Sequence, residues 1–378
     1  MMKRNGDDIH MFNVFDVSSA IVEHIQQHCP DDIAIVACYG SYVQGSANPR
    51  SDLDFFFIPA SSDGYRASIQ FIIDGISFDF WPISWERAER MASYEESNTS
   101  IIADCRLLYV RSDADRDRFN QLQEKIMNPP GLKLLERAES ELQGAYVHLY
   151  KMRSTPDQNN LAFYRTESQG ILTKVLYSLA LINRTYLRKG WGKNTEQILN
   201  FMIRPARLED YLHTLIHSKS CREMQVNSEL LTQETIELLI RQQESYTDGP
   251  SYTDRMHGFY EEFKGIFNKL TEACEKNDMD TAYYWSTGLQ DVIAKFLYYS
   301  ERGYWPVELE VSLTYQVYYE NAGFPNLVAL FDPQNLLPLE QAVQRLESMF
   351  VEVLTAKGLN ILQFNSVNQF RDFLRTRE

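Results

Sequence analysis

Hydrophobic and polar positions change their rhythm about a third of the way along this chain. Over residues 17–28, Val17, Ala20, Ile21, His24 and Ile25 recur at helical spacing. Residues 33–39 (IAIVACY) then form an unbroken apolar run, short enough for a buried strand, and Gly40-Ser41 ends it. Residues 53–58 (LDFFFI) predict a second strand, closed by Pro59. Residues 69–83 are two apolar runs joined at Asp74-Gly75, a strong hairpin signal. Residues 105–110 (CRLLYV) predict another strand, so the chain to about residue 125 reads as mixed strand and helix.

After Pro129-Pro130-Gly131 the period becomes helical. Over residues 132–151, Leu134, Leu135, Ala138, Leu142, Ala145, Tyr146 and Leu149 form one stripe. Over residues 161–189, Ile171, Leu172, Val175, Leu176, Leu179, Ile182 and Tyr186 form another, with a stop predicted at Lys189-Gly190. Further stripes run through Phe259, Phe263, Ile266 and Leu270, and through Leu289, Val292, Ile293 and Phe296. The pattern from about residue 340 is helical as well. Residues 205–255 are polar and show no clear period. The expected fold is α+β: a mixed-sheet domain over 1–128, then an α-helical domain over 131–378 with a subdivision near 305.

Composition narrows the class. With 44% hydrophobic residues among 378, the chain has material for a buried core and is not of disordered type. The formal net charge of -15 repels a nucleic-acid backbone and argues against nucleic acid as a partner, while leaving room for a local nucleotide pocket. The five cysteines are scattered, with no CxxC pair, which suggests a reducing, cytoplasmic setting. Neither a signal peptide nor an apolar run long enough to span a membrane is expected.

Chemistry concentrates in Tyr39–Ile58, YGSYVQGSANPRSDLDFFFI. Gly40 permits a sharp turn and close approach to a ligand. The turn, and a helix start after it, can aim backbone N–H groups and the Ser41 hydroxyl at phosphate oxygens. Asp52 and Asp54 lie two apart in an extended segment and so share one face. Side by side they repel, and a hard cation such as Mg²⁺ relieves the repulsion. A two-metal arrangement needs a third carboxylate, for which Asp79 is the candidate. Alternation puts Ser77, Asp79 and Trp81 on the face opposite Ile76, Phe78 and Phe80, and an acid among so many aromatics is expected to need a partner.

Gly-Ser, a polar loop, Asp-Leu-Asp and a later strand Asp resemble the nucleotidyltransferase superfamily that includes DNA polymerase β. The short spacing and helical second half are more similar to its bacterial antibiotic branch, the kanamycin and lincosamide nucleotidyltransferases. The resemblance is specific over residues 33–83 and general over the helical half. It implies that Gly40 and Ser41 bind nucleotide, that Asp52 and Asp54 bind magnesium, with two ions expected, and that Asp79 is the third acid. The co-substrate would be a nucleoside triphosphate, ATP being the one expected. The helical domain would carry the acceptor pocket, sometimes with a Glu as base, a role open to Glu139, Glu141 or Glu167.

Each residue also has a plainer reading. Asp79 could be an ion-pair partner, Arg50 an exposed loop cation rather than a triphosphate ligand, and Ser51 a turn cap. Glu139, Glu141 and Glu167 could be boundary charges. The KGWGK turn at 189–193 could reach a phosphate or could simply end a helix. The expected activity is transfer of a nucleoside monophosphate to a hydroxyl of a small acceptor, an aminoglycoside-like antibiotic being the favoured type. The rivals are nucleotidylation of a protein or RNA, and a nucleotide-sensing regulator without transfer. The sequence leaves the oligomeric state open.

Overall fold

The computed structural model describes residues 13–48, 51–190 and 192–376. Contacts divide the chain into two units, Met1–Leu239 and Ile240–Glu378.

The first unit opens with α1 (Val14–His28), capped by Asn13, whose side chain accepts from the Phe15 N–H at 3.0 Å. Five strands follow: β1 (Ile33–Tyr39), β2 (Asp54–Pro59), β3 (Ile69–Ile73), β4 (Ile76–Pro82) and β5 (Arg106–Val110). They form one mixed sheet in the order β3-β4-β2-β1-β5. β1 runs antiparallel to β2 and β5, whereas β2 and β4 are parallel. The β3–β4 hairpin turns at Asp74 and Gly75, which take φ of 50° and 76°, the left-handed pair that a tight two-residue turn requires. Alternation sends Phe55, Phe57, Phe78 and Phe80 into a core with Val14, Val17 and Ile25 of α1. Asp54 and Asp79 lie on the opposite face of β2 and β4, which also carries the buried Phe56 and Ile58.

Helices α2 (Trp85–Ala92), α3 (Thr99–Ala103) and α4 (Asp113–Met127) surround β5 in sequence. Then come α5 (Gly131–Ser154) and α6 (Leu161–Ile182), which pack together along most of their length. α5 begins at the expected break, with Pro130 at its N-cap. The Tyr177 hydroxyl on α6 lies 3.0 Å from the carbonyl oxygens of Tyr94 and Glu96, tying the helical pair to the segment between α2 and α3.

α6 stops at Ile182, short of the predicted Lys189-Gly190. The Thr185 N–H bonds to the Ala180 carbonyl and the Arg184 N–H to that of Leu181, each at 2.9 Å, and Arg184 has φ of 55°. This is a Schellman ending built on Arg instead of the usual Gly, so the sequence carries no glycine to mark it. Short α7 (Thr195–Leu199) and α8 (Leu208–His217) lead to α9 (Cys221–Glu244). The polar stretch that showed no period is thus largely helical. On α9, Ser228, Thr232 and Thr235 are buried, and the two threonine hydroxyls bond back to the Ser228 and Leu231 carbonyls at 2.8 and 2.7 Å. Buried threonine hydroxyls that satisfy themselves within the helix, and a buried serine, hide its inward face from a hydrophobicity reading.

The step between the units falls within α9. The second unit continues with α10 (Tyr252–Arg255), α11 (Phe259–Glu275), α12 (Met279–Arg302), α13 (Thr314–Asn321), α14 (Leu327–Leu330), α15 (Leu337–Ala356) and α16 (Val367–Arg375). Phe259 is its hub, with ring centroids 4.2 Å from Phe296 and 5.7 Å from Phe350. No helix among the described residues is long and apolar enough to cross a membrane.

Candidate active site

The site grows from the end of β1. Tyr39 pairs in register with Asp54, the first residue of β2. The chain then turns at Gly40, whose φ is 76°. A Cβ at Gly40 would run into the Asp54 carboxyl group, with Asp54 Cγ only 2.9 Å away. Glycine is required here twice over, by conformation and by contact. The backbone beyond makes a single closed turn rather than a helix: the Gln44 N–H bonds to the Gly40 carbonyl at 3.0 Å and the Ser46 N–H to that of Ser41 at 2.9 Å.

Leu53 is fully buried. Its neighbours Asp52 and Asp54 therefore project to the other side together. Burial pushes the Asp54 carboxyl from 3.8 up to about 6; the Asp52 charge adds to the rise and Lys193 pulls the other way. Phe55 pairs with Phe80 across the parallel β2–β4 ladder, so Asp54 and Asp79 stand beside one another one position earlier on each strand. The Tyr39 hydroxyl accepts from Trp81 Nε1 at 3.2 Å. Burial pushes that hydroxyl up to about 12, the Trp81 bond opposes the rise, and the charges of Asp54, Asp79 and Asp52 add to it. Three carboxylates thus act on one phenol.

Asp79 differs from its expected setting in one respect. It is exposed rather than enclosed by aromatics, because Phe78 and Phe80 alone turn into the core. Its partner is the cross-strand Gln70, whose Nε2 donates to it at 2.7 Å. Ser41 is half-buried in the turn. Ser51 caps a turn, its hydroxyl accepting from the Asn48 N–H at 3.0 Å. Arg50 lies outside the described residues.

The three glutamates fall on the α5–α6 pair. Glu141 is buried between Arg137 at 2.5 Å and Lys174 at 2.8 Å. Glu167 is buried against His148 at 2.6 Å and Lys151 at 3.3 Å. Glu139 is half-buried on α5. Both buried acids are therefore held by cations or imidazole, the arrangement expected of structural ion pairs.

The structure brings further residues to the site, one of them from the KGWGK turn weighed above. Lys193, in the return loop after α6, is the cation whose charge reaches Asp54. The same loop is fixed to the Gly40 turn, since Gln44 Nε2 donates to the Arg188 carbonyl at 2.6 Å. Tyr186 in this loop donates to Asp104 Oδ1 at 2.8 Å. The KGWGK motif was the available signal, but a helix drawn to residue 189 leaves too little loop to reach the sheet.

Among the described residues, no three His, Cys, Asp or Glu side chains are grouped closely enough to hold a metal ion. The donors that fit one are Asp52 and Asp54: two hard oxygen ligands, one of them desolvated and burdened by the other's charge. A divalent cation with phosphate oxygens as its remaining ligands suits such a pair.

Residues 116–245 match the family model described as KNTase C-terminal domain. The match begins within α4 and ends at the close of α9. The matched stretch, a third of the chain, is thus similar to the C-terminal domain of a nucleotidyltransferase family. Among solved structures, a nucleotidyltransferase-like protein from Exiguobacterium sibiricum aligns at 11% identity and a TM-score of 0.37, over 66% of this chain and 87% of its own. No curated protein matches.

Proposed function

We propose that this enzyme transfers a nucleoside monophosphate from a nucleoside triphosphate, with ATP the favoured donor, to a hydroxyl of a small acceptor, releasing pyrophosphate. Asp52, Asp54 and the Gly40 turn carry the reading, because they set a repelling carboxylate pair against a tight glycine turn. Magnesium bound by the two acids would supply the positive charge that the α-phosphate needs as its negative charge redistributes. Gly40 and Ser41 would hold the phosphates and Lys193 would balance them, while the Gln44–Arg188 hydrogen bond keeps the loop that bears Lys193 in place. Asp79, exposed beside Asp54 and oriented by Gln70, would position the acceptor hydroxyl and take its proton. Attack on the α-phosphorus forms the new P–O bond and breaks the bond to pyrophosphate. The acceptor would be a small polyhydroxylated molecule of the aminoglycoside type, consistent with the net charge of -15, which draws cations.

The test is pyrophosphate release from each nucleoside triphosphate against an acceptor library, with products read by mass spectrometry. Asp52→Asn and Asp54→Asn should each lose activity by about a hundredfold or more. Near-normal turnover of Asp54→Asn at saturating magnesium would refute the assignment.

A further inference from the structure

On the face of the sheet opposite the carboxylates, α1 and the β3–β4 hairpin enclose a cavity of about 730 Å³. Its walls include Ile21 and Ile25 of α1 and Phe71, Ile73 and Phe80 of the hairpin. Ile69 and Ile73, on its edge, remain 49% and 39% exposed, so the hairpin keeps apolar surface in water at this point. A mostly apolar hollow of this size with a few placed polar groups is the usual form of a small-molecule site.

The polar groups at the rim decide which molecule. Asp63 is already paired with Arg66 at 3.3 Å. His24 stacks on His28, ring centroids 4.6 Å apart. Asp32 differs: it is half-buried, its Oδ1 accepts the Ser61 hydroxyl at 2.6 Å, and among the described residues no cation pairs with it. A carboxylate that lines apolar walls and has no cation partner favours a ligand that brings its own positive charge. We infer that this cavity binds a small apolar amine, its hydrocarbon body against Phe71, Phe80 and Ile21 and its ammonium group on Asp32. The site is separate from the carboxylate pair and stands whatever reaction that pair performs.

The experiment uses the full chain and three probes of one shape: 4-phenylbutylamine, 4-phenylbutanoic acid and butylbenzene, followed by ligand-observed NMR titration. The amine should bind saturably and at least about tenfold more tightly than the acid. Asp32→Asn should weaken the amine by about tenfold and leave butylbenzene unchanged. Ala20→Trp, at an exposed position of α1 on the cavity wall, should weaken the amine and butylbenzene alike. Absence of saturable amine binding to the folded wild-type protein overturns the inference. So does an acid that binds as well as the amine, and that comparison decides even if a variant fails to fold. Indifference of the amine to both substitutions, in variants with wild-type circular dichroism, overturns it too.

Discussion

Asp54→Asn should make the protein more stable at neutral pH while abolishing the proposed transfer. Burial raises the Asp54 carboxyl from 3.8 to about 6 in the folded protein, with Asp52 adding to the rise. The folded state then holds this proton more tightly than the unfolded state. Stability falls as pH climbs from roughly 4 to 6, and the full penalty is present above that window. At 1.36 kcal/mol per tenfold change in proton affinity, the rise amounts to about 3 kcal/mol. Asp54 is only half-buried, and screening by water reduces this to about 1–2 kcal/mol. Asparagine has nearly the same shape and never ionises, so the variant escapes the penalty. Urea unfolding of both proteins between pH 4 and pH 8 is the assay. The variant should lead by about 1–2 kcal/mol at pH 7.5, and the lead should shrink towards zero as pH falls to 4. A variant less stable than wild type at pH 7.5, or a lead that does not change with pH, would show that Asp54 is not under this strain.

Three further outcomes follow from the same geometry. Gly40→Ala should destabilise the fold by about 1–3 kcal/mol and raise the nucleotide Kd, since the new methyl meets both a positive φ and the Asp54 carboxyl; melting and nucleotide titration read the two effects. Lys193→Ala should raise KM for the triphosphate by about tenfold with a smaller change in kcat, as loss of a ground-state phosphate contact would; steady-state kinetics separates the two. Glu141→Gln should cost about 1–2 kcal/mol in stability, since Arg137 and Lys174 lose their partner but are each more than a third exposed, yet keep turnover within a few-fold of wild type; a collapse of kcat in a folded variant would instead make Glu141 the base.

The strands were legible because their signals are local. β1, the hairpin and β5 lie within a residue of their apolar runs, and Asp-Gly set the turn. The Gly40 turn and the Asp-x-Asp pair are legible for the same reason, being contiguous in sequence. Three features were not. The end of α6 depends on Arg184 adopting a conformation normally left to Gly, a choice made by the surrounding packing. The inward face of α9 uses Ser228, Thr232 and Thr235, which read as polar but are buried. The KGWGK turn is readable as one that could reach a phosphate, but that Lys193 is the residue whose charge reaches Asp54 depends on where the loop goes, and the loop begins only where α6 stops. Asp79 was placed on the correct face by alternation, but its exposure follows from the neighbouring Phe side chains turning wholly inward.

The bond from Gln44 to the Arg188 carbonyl joins residues 144 positions apart. Translation imposes an order on such a bond. When the first 130 residues have left the ribosome, every described strand is present together with Asp52, Asp54 and Asp79. The Gly40 turn has neither its bond to Arg188 nor Lys193 until α5 and α6 have been made. A nascent chain stalled in that interval would hold Asp52 and Asp54 against each other with no lysine to offset them. The strands and the acids are thus encoded ahead of the cation that offsets them, and the loop after α6 is what brings the two together.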